Sequence, residues 1–258
     1  MTPSLGTFSR ALVTTAVALA LALPTGGAVA GATEPEPDGP HYQQPTVGEC
    51  RAYDYDAMYG NAETSAPVDC TESHTAVVVA VETVPADGKL SGASKDVERI
   101  LAKSCYPAMW DRLGRSHAVI SRSAYGLAFF LPTKQQRQHG ARWVRCDLVL
   151  RGGAKIMPLP TEQGYLQGRL LTDDEARCLV NLRRGTMVTV CDRKHQYRAS
   201  QTVTMPWSKE PSADKALRYA NRKCRDARST RGWYATWANG LTWKAGSRIL
   251  VCYRATRV

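Results

Sequence analysis

The chain has 258 residues, of which 43% are hydrophobic and 22% charged, with a formal net charge of +11. This composition is that of an ordinary folded protein and excludes a wholly disordered chain, and the length allows one large core or two small ones. The charge is uneven, because residues 177–258 carry 18 lysines and arginines against 4 aspartates and glutamates. Such a basic segment favours a polyanionic partner.

Residues 1–30 have the pattern of a secretory signal peptide. Arg10 precedes an apolar run from Ala11 to Leu23, and Ala28-Val29-Ala30 is the expected cleavage site. A membrane-spanning helix needs about 20 apolar residues, so we expect cleavage and export. An uncleaved signal would instead form a single-pass N-terminal anchor. The Pro-rich, acidic residues 31–46 predict a disordered leader.

All eight cysteines follow the predicted signal peptide. An even number of cysteines in an exported chain predicts four disulfides. A Cys/His metal site would need C-x2-C or H-x3-H spacing, which the sequence lacks, so we expect no metal and no cofactor. The cysteines are Cys50, Cys70, Cys105, Cys146, Cys178, Cys191, Cys224 and Cys252.

One pattern occurs twice, 121 residues apart. The segments Cys70–Pro85 and Cys191–Pro206 each have a histidine four positions after the cysteine, then a run of strand-forming residues, then proline at the same offset. Each is followed by a serine that opens a helical pattern and by a cysteine at the expected helix end. Each closes on G-x-R-x3-C. We interpret this as a tandem duplication, with copies at 47–150 and 173–258 joined by a linker at 151–172.

The predicted fold class is α+β, with two tandem disulfide-stapled units, each a small antiparallel sheet with one packed helix. Strands are expected at 75–84, 125–132, 197–205 and 233–243, where β-branched and aromatic residues are enriched. The first two cysteines of each unit flank adjacent strands, and the third can reach the fourth on the closing strand. This favours Cys50–Cys70, Cys105–Cys146, Cys178–Cys191 and Cys224–Cys252, and the sequence leaves other pairings open.

The first copy resembles the actinobacterial septum formation-related family. The resemblance rests on VGEC at Val47–Cys50, the C-x3-H and valine-rich run within Val68–Val81, LPTKQQ at Leu131–Gln136 and GARWVRCDL at Gly140–Leu148. The second copy matches more loosely and keeps the W-x2-G-x-R-x3-C close as Trp243, Gly246, Arg248 and Cys252, whereas the first has Arg137 at the tryptophan position. The resemblance implies a non-catalytic role in the cell envelope, in cell division, with other envelope or division proteins as further partners.

His74 and His195 are candidate ligand contacts. With Cys70 or Cys191 as a free thiol, either histidine would support nucleophilic catalysis by a secreted hydrolase, the alternative function. The structural alternative is that each ring bonds to the backbone of a turn, and the expected disulfides favour it. No other enzyme motif is present, so we expect no enzyme.

The segment Arg218–Trp237 interleaves cations with aromatic residues. Cations bind phosphates and carboxylates, and aromatic rings stack on sugars, so we expect this segment to contact anionic cell-wall polymer or a membrane surface. Export disfavours nucleic acid as the partner. The alternative is a solvated helix face followed by a strand whose aromatic residues are core. The ligand-binding candidates are Arg218, Arg222, Lys223, Arg225, Arg228, Arg231, Trp233 and Trp237.

Overall fold

The fold is taken from a computed structural model, which describes residues 37–60, 62–114, 116–161, 165–166, 171–225 and 232–256. The expected signal peptide and the first residues of the expected leader lie outside the described residues. The described chain contains two antiparallel sheets. Both belong to one compact unit that extends from Glu36 to Val258.

The first sheet is built from six strands before residue 158. In chain order these are β1 (Cys50–Arg51), β2 (Pro67–Val68), β3 (Ala76–Thr83), β4 (Tyr125–Phe130), β5 (Trp143–Arg151) and β6 (Ile156–Met157). The second sheet has five strands: β7 (Arg177–Asn181), β8 (Thr186–Val190), β9 (Tyr197–Thr204), β10 (Trp233–Trp237) and β11 (Ile249–Ala255). The eight consecutive buried residues of β5 place it at the centre of the first sheet, where strands are covered on both faces.

The two sheets share one strand order and one register. The order is β2-β1-β3-β5-β4 in the first sheet and β8-β7-β9-β11-β10 in the second. Ala80 lies opposite Cys146, and Gln201, which is 121 positions after Ala80, lies opposite Cys252. The predicted fold class is therefore confirmed as two disulfide-stapled sheet units of the same topology.

All four disulfides join the pairs that the sequence favoured. They are Cys50–Cys70, Cys105–Cys146, Cys178–Cys191 and Cys224–Cys252, with Cα–Cα distances of 5.2, 5.7, 5.1 and 5.4 Å. In each unit one bond lies at the edge strands and the other ties the helix to the closing strand. No cysteine is free.

The helix of the first unit is longer than the sequence indicated. α1 (Tyr55–Met58) is a single turn, and α2 (Lys95–Ile100) continues through a π-helical turn at Leu101–Cys105 into α3 (Tyr106–Leu113). Cys105 therefore lies in the middle of a bent helix and not at its end, as the sequence had predicted. Pro107 has no N–H to donate, which favours a local change of hydrogen bonding at this point. Two short helices, α4 (His117–Ile120) and α5 (Lys134–Gln138), follow.

Two helices lie in the described part of the second unit. Ser212 caps α6 (Ala213–Lys223) by accepting from the backbone N–H of Lys215, and Cys224 ends it as expected. The strand expected at 233–243 stops at Trp237, and its remainder forms α7 (Gly240–Lys244). At the start of α7 the backbone N–H of Asn239 donates to Thr242 Oγ1 at 3.1 Å, which favours a helix start here and explains why the strand does not continue.

The leader differs from the disordered segment that its composition predicted. Residues 37–46 lie against the first sheet, where Trp143 Nε1 donates to the carbonyl of Tyr42 at 3.0 Å. The Tyr42 ring stacks on His139 with ring centres 4.5 Å apart, and the N–H of Gly39 donates to the carbonyl of His139 at 2.7 Å. The proline-rich leader does not pair its own backbone N–H and C=O groups regularly. Some of these groups form hydrogen bonds with residues of the first unit instead.

The two sheets meet through the chain segments that connect them. The N–H of Ala124 donates to the carbonyl of Glu175, and the N–H of Arg177 donates to that of Arg122, both at 2.7 Å. Val190 of β8 belongs to the hydrophobic core of the first unit. The units therefore share part of one core.

Candidate functional site

The repeated histidines occupy matching turns. His74 Nδ1 lies 2.9 Å from the carbonyl oxygen of Glu72, and His195 Nδ1 lies 2.7 Å from that of Arg193. In both turns the bonded carbonyl is two residues before the histidine. This is the backbone contact that the structural alternative expected.

Burial separates both histidines from solvent. His74 is 1% exposed and His195 is 6% exposed, so neither ring reaches a surface where a ligand binds. Cys70 and Cys191, the thiols that a Cys–His mechanism would need, are both in disulfides. The histidines are therefore part of the scaffold, and the ligand contact expected for them is not supported by their position.

A cluster of exposed positive charges lies on α6. Ala216 and Ala220 pack the helix onto the second sheet, and the opposite face points to solvent. We call the exposed cations of this helix and its C-terminal end the basic face. Its members are Lys215, Arg218, Arg222, Lys223 and Arg225, and none of them forms an ion pair with a residue in the described part of the chain.

Two aromatic side chains lie among these cations. Trp207 and Tyr219 meet edge to face, with ring centres 5.0 Å apart. Lys215 Nζ lies 4.6 Å from the centre of the Trp207 ring, while Arg222 and Lys223 lie 5.8 Å from that of Tyr219. Trp207 and Tyr219 are half-buried, which leaves part of each ring exposed beside positive charge. This combination can bind anionic groups and stack on a sugar ring.

The remaining candidates from the sequence are divided between two environments. Trp233 and Trp237 lie on β10 and, like Trp207 and Tyr219, are half-buried and pack against the core of the second unit. They are not part of the basic face. Arg228 and Arg231 lie outside the described residues.

Sequence reasoning did not include Trp207 and Lys215 in the site. A signal was present, because Lys215, Tyr219 and Lys223 are spaced four residues apart and so share one face of a helix. Trp207 had no local signal, since it lies in the segment between β9 and α6. Its position depends on how that segment folds back over the helix.

The first unit contains a buried cluster of charges. Arg145 Nη2 lies 2.6 Å from Glu63 Oε2, and its Nε lies 3.1 Å from Asp147 Oδ1. Tyr53 donates its hydroxyl hydrogen to Asp147 Oδ2 at 3.0 Å, and the Arg145 guanidinium stacks on Phe130. In the second unit Val251 and Tyr253 occupy the positions of Arg145 and Asp147, counted from the closing cysteine. The cluster is therefore a feature of the first unit and not a requirement of the fold.

The pKa values in this cluster differ in direction. Burial raises the pKa of the Asp147 carboxyl, against the opposing charge of Arg145. Burial also tends to raise the pKa of Glu63, but hydrogen bonds from Ser65 and Arg145 outweigh it and hold the pKa below its usual value. Burial, and then the charge of Asp147, raise the pKa of Tyr53 well above its usual value. The cluster is enclosed, so its role is structural.

The described ranges contain neither the arrangement of a metal site nor a membrane-crossing helix. No group of three or more His, Cys, Asp or Glu side chains within those ranges has the arrangement of a metal site. Within the same ranges, no helix has the length and hydropathy needed to cross a bilayer.

The comparison with known proteins identifies a family. The family model for septum formation matches residues 117–252, from α4 through both closing strands. This range begins within the first unit, whereas the motifs that suggested the family span most of that unit, beginning at Val47. No curated protein and no solved structure matches the chain. Since the matched residues make up more than half of the chain, it belongs to the septum formation family.

Proposed function

We propose that this protein is an exported, non-catalytic component of the cell envelope that binds an anionic wall polymer through the basic face of α6. Its family supports a septum-related role in the envelope. The four disulfides are typical of proteins outside the cytoplasm. The single observation that carries the proposal is the set of exposed cations, without ion pairs in the described residues, around the half-buried rings of Trp207 and Tyr219.

Within the described part of the chain, no cation of the basic face is in an ion pair. Exposed cations paired with carboxylates contribute little to binding, whereas five that are unpaired create a local positive potential. A polymer of repeating phosphates or carboxylates engages several of them at once and gains from multivalency. Binding should therefore weaken steeply as salt shortens the range of the interaction.

The aromatic residues favour a sugar-containing polymer over a membrane. A membrane surface is bound through a broad apolar helix face, but Leu217 is the one large apolar side chain that α6 exposes, at 47%. Trp207 and Tyr219 instead offer ring faces beside cations. We infer that the rings contact sugar units while the cations contact the charged groups.

A co-sedimentation assay with isolated cell walls tests this function. The change is Arg218→Gln, Arg222→Gln and Lys223→Gln together. We expect about a tenfold or greater loss of affinity at low salt, because three exposed charges contribute about 1–3 kcal/mol in total. The matched control replaces Lys95, Arg99 and Lys103, which are exposed on the helix of the first unit, and removes the same net charge.

The results distinguish the alternatives. Equal losses of affinity in both triple variants would show that binding depends on the net charge of the protein and not on the basic face. Retention on walls that does not change with salt would contradict an electrostatic mechanism. Binding to anionic lipid vesicles without binding to walls would show that the partner is a membrane surface and not a wall polymer. Trp207→Ala should weaken binding to a sugar-containing polymer and leave binding to inorganic polyphosphate unchanged.

Division is the process in which we expect the protein to act. The support is the family match and the resemblance of the sequence motifs. The matching strand orders of the two sheets also support the interpretation that one unit was duplicated. Deletion of the protein should alter the position or completion of septa, and normal septa in a deletion strain would contradict this role.

A further inference from the structure

We propose that the cavity between the two sheets binds a small organic anion, a phosphate or carboxylate attached to a ring, through Arg151 and Arg177. The cavity has a volume of about 370 Å³. This lies within the range of small-molecule sites in proteins. Side chains from both units line it, so the site exists only where the two sheets meet.

The two arginines enter the cavity from adjacent ends of the sheets. Arg151 is the last residue of β5 and Arg177 is the first residue of β7. Arg177 Nε donates to the carbonyl of Ser123 at 2.8 Å, whereas Arg151 Nε is enclosed and has no hydrogen-bond partner. Neither guanidinium forms an ion pair with a carboxylate in the described residues.

Placing two like charges in this environment is unfavourable. Burial, and then the charge of Arg177, lower the pKa of the Arg151 guanidinium. The groups that oppose this effect are the hydroxyls of Tyr59, Tyr106 and Tyr55, and none of them is a carboxylate. A buried charge without a counter-ion reduces stability. An anion between the arginines would remove the repulsion and supply the missing acceptors.

Gly126 leaves room for the Arg151 side chain. A Cβ atom at Gly126 would lie 2.7 Å from Arg151 Nε and 3.2 Å from its Cζ, so any larger residue must displace the guanidinium. Gly126 pairs with Val149 inside the sheet, so the chain could carry a side chain here if the space were not occupied. The glycine therefore holds open the position of the arginine head.

The other residues that line the cavity favour a ligand that carries a ring. Tyr106 and Trp110 come from the first unit, and Trp237 and Tyr253 from the second. Tyr106 and Trp110 pack with ring centres 5.9 Å apart, which presents a continuous aromatic wall. Aromatic side chains contribute binding energy through the area of ring that they cover. We therefore expect an anion that carries a ring to bind more tightly than the inorganic anion.

Titration of the full mature protein with phenyl phosphate tests the site. Benzyl alcohol supplies the ring without the charge, and inorganic phosphate supplies the charge without the ring. Trp110 and Trp237 line the cavity, so binding should change tryptophan fluorescence. At about 100 times its Kd, phenyl phosphate should also raise Tm by about 5–10 °C.

Three variants connect the binding to the cavity. Arg151→Met should weaken phenyl phosphate binding about tenfold or more and, without ligand, should keep or raise Tm because a half-buried charge that has no ion pair in the described residues is removed. Gly126→Ala should weaken binding with every charge retained. Arg99→Met, at an exposed position on α2, is the matched control and should bind as the wild type does.

Any one of four outcomes would overturn the proposal. Binding of phenyl phosphate that fails to saturate by about 1 mM would show no specific site. Equal affinity in Arg151→Met and wild type would place the bound anion elsewhere. A large loss of Tm or of folding in Arg151→Met would show that the arginine is structural, and Gly126→Ala with unchanged affinity would contradict the proposed geometry.

Discussion

Replacement of Arg145 by methionine should destabilise the protein strongly. Arg145 is 1% exposed and bridges Glu63 and Asp147, whose side chains are 4% and 0% exposed. The methionine retains most of the apolar stem but leaves Asp147 without its ion-pair partner and Glu63 with only the longer contact to Arg51 Nη1, at 3.9 Å. Solvent does not screen these charges, so the loss is that of a broken buried ion pair and not that of an exposed one.

The expected loss is about 3–5 kcal/mol of unfolding free energy. For a domain of this size that corresponds to a decrease of about 6–20 °C in Tm. Thermal unfolding, followed by circular dichroism with the disulfides intact, measures both quantities. The matched control is the triple variant Arg145→Met, Glu63→Gln and Asp147→Asn, which removes all three charges together.

The triple variant should regain most of the stability lost in the single one. The second unit has Val251 and Tyr253 at the positions of Arg145 and Asp147, so the same sheet forms there without this cluster. A single variant within about 1 kcal/mol of wild type would refute the reasoning. So would a triple variant less stable than the single one.

Two smaller predictions concern backbone conformation and pH. Gly140 and Gly246 both have positive φ, at 92° and 104°, but a Cβ at Gly140 would also lie 3.1 Å from Gly39, whereas the space around Gly246 is open. Alanine should therefore destabilise at both positions and more at Gly140, and equal losses of Tm would contradict this. The lowered pKa of Glu63 gives stability that is lost as pH falls, while the raised pKa of Asp147 gives stability that is lost as pH rises. When the pH is lowered from about 7 to about 3, the Tm of Asp147→Asn should thus fall more than that of wild type, and the Tm of Glu63→Gln should fall less. The reverse order would refute these two pKa directions.

The repeated sequence pattern predicted the sheet units and favoured the observed disulfides, although it left other pairings open. In each copy one cysteine comes before the long strand, β3 or β9, and another lies on the closing strand, β5 or β11. Because these strands pair in the same register in both units, the disulfides form at equivalent positions. The offset of 121 residues is retained in the register of β3 and β9. A local pattern that occurs twice therefore carried long-range information.

Features that depend on tertiary contacts could not be predicted in this way. The leader is proline-rich, but its Tyr42 carbonyl accepts a hydrogen bond from Trp143, about a hundred residues away. The helix around Cys105 continues because a π-helical turn accommodates Pro107. Composition described each segment in isolation, whereas the sheet supplied hydrogen-bond partners for the leader and the π-helical turn supplied them for the helix.

The two candidate sites also differ in whether the sequence could predict them. The cations of α6 could be predicted from the sequence because helical spacing places them on one exposed face. Arg151 and Arg177 could not, because the first falls in the expected linker and the second begins a strand. Only the meeting of the two sheets brings them to one cavity.

A disulfide map of the mature protein, digested without reduction and analysed by mass spectrometry, tests the central claim most directly. We expect four bridged peptides, joining Cys50 to Cys70, Cys105 to Cys146, Cys178 to Cys191 and Cys224 to Cys252, and no thiol that reacts before reduction. A free thiol at Cys70 or Cys191, or a bridge between the two units, would contradict the paired-scaffold account and restore a catalytic one.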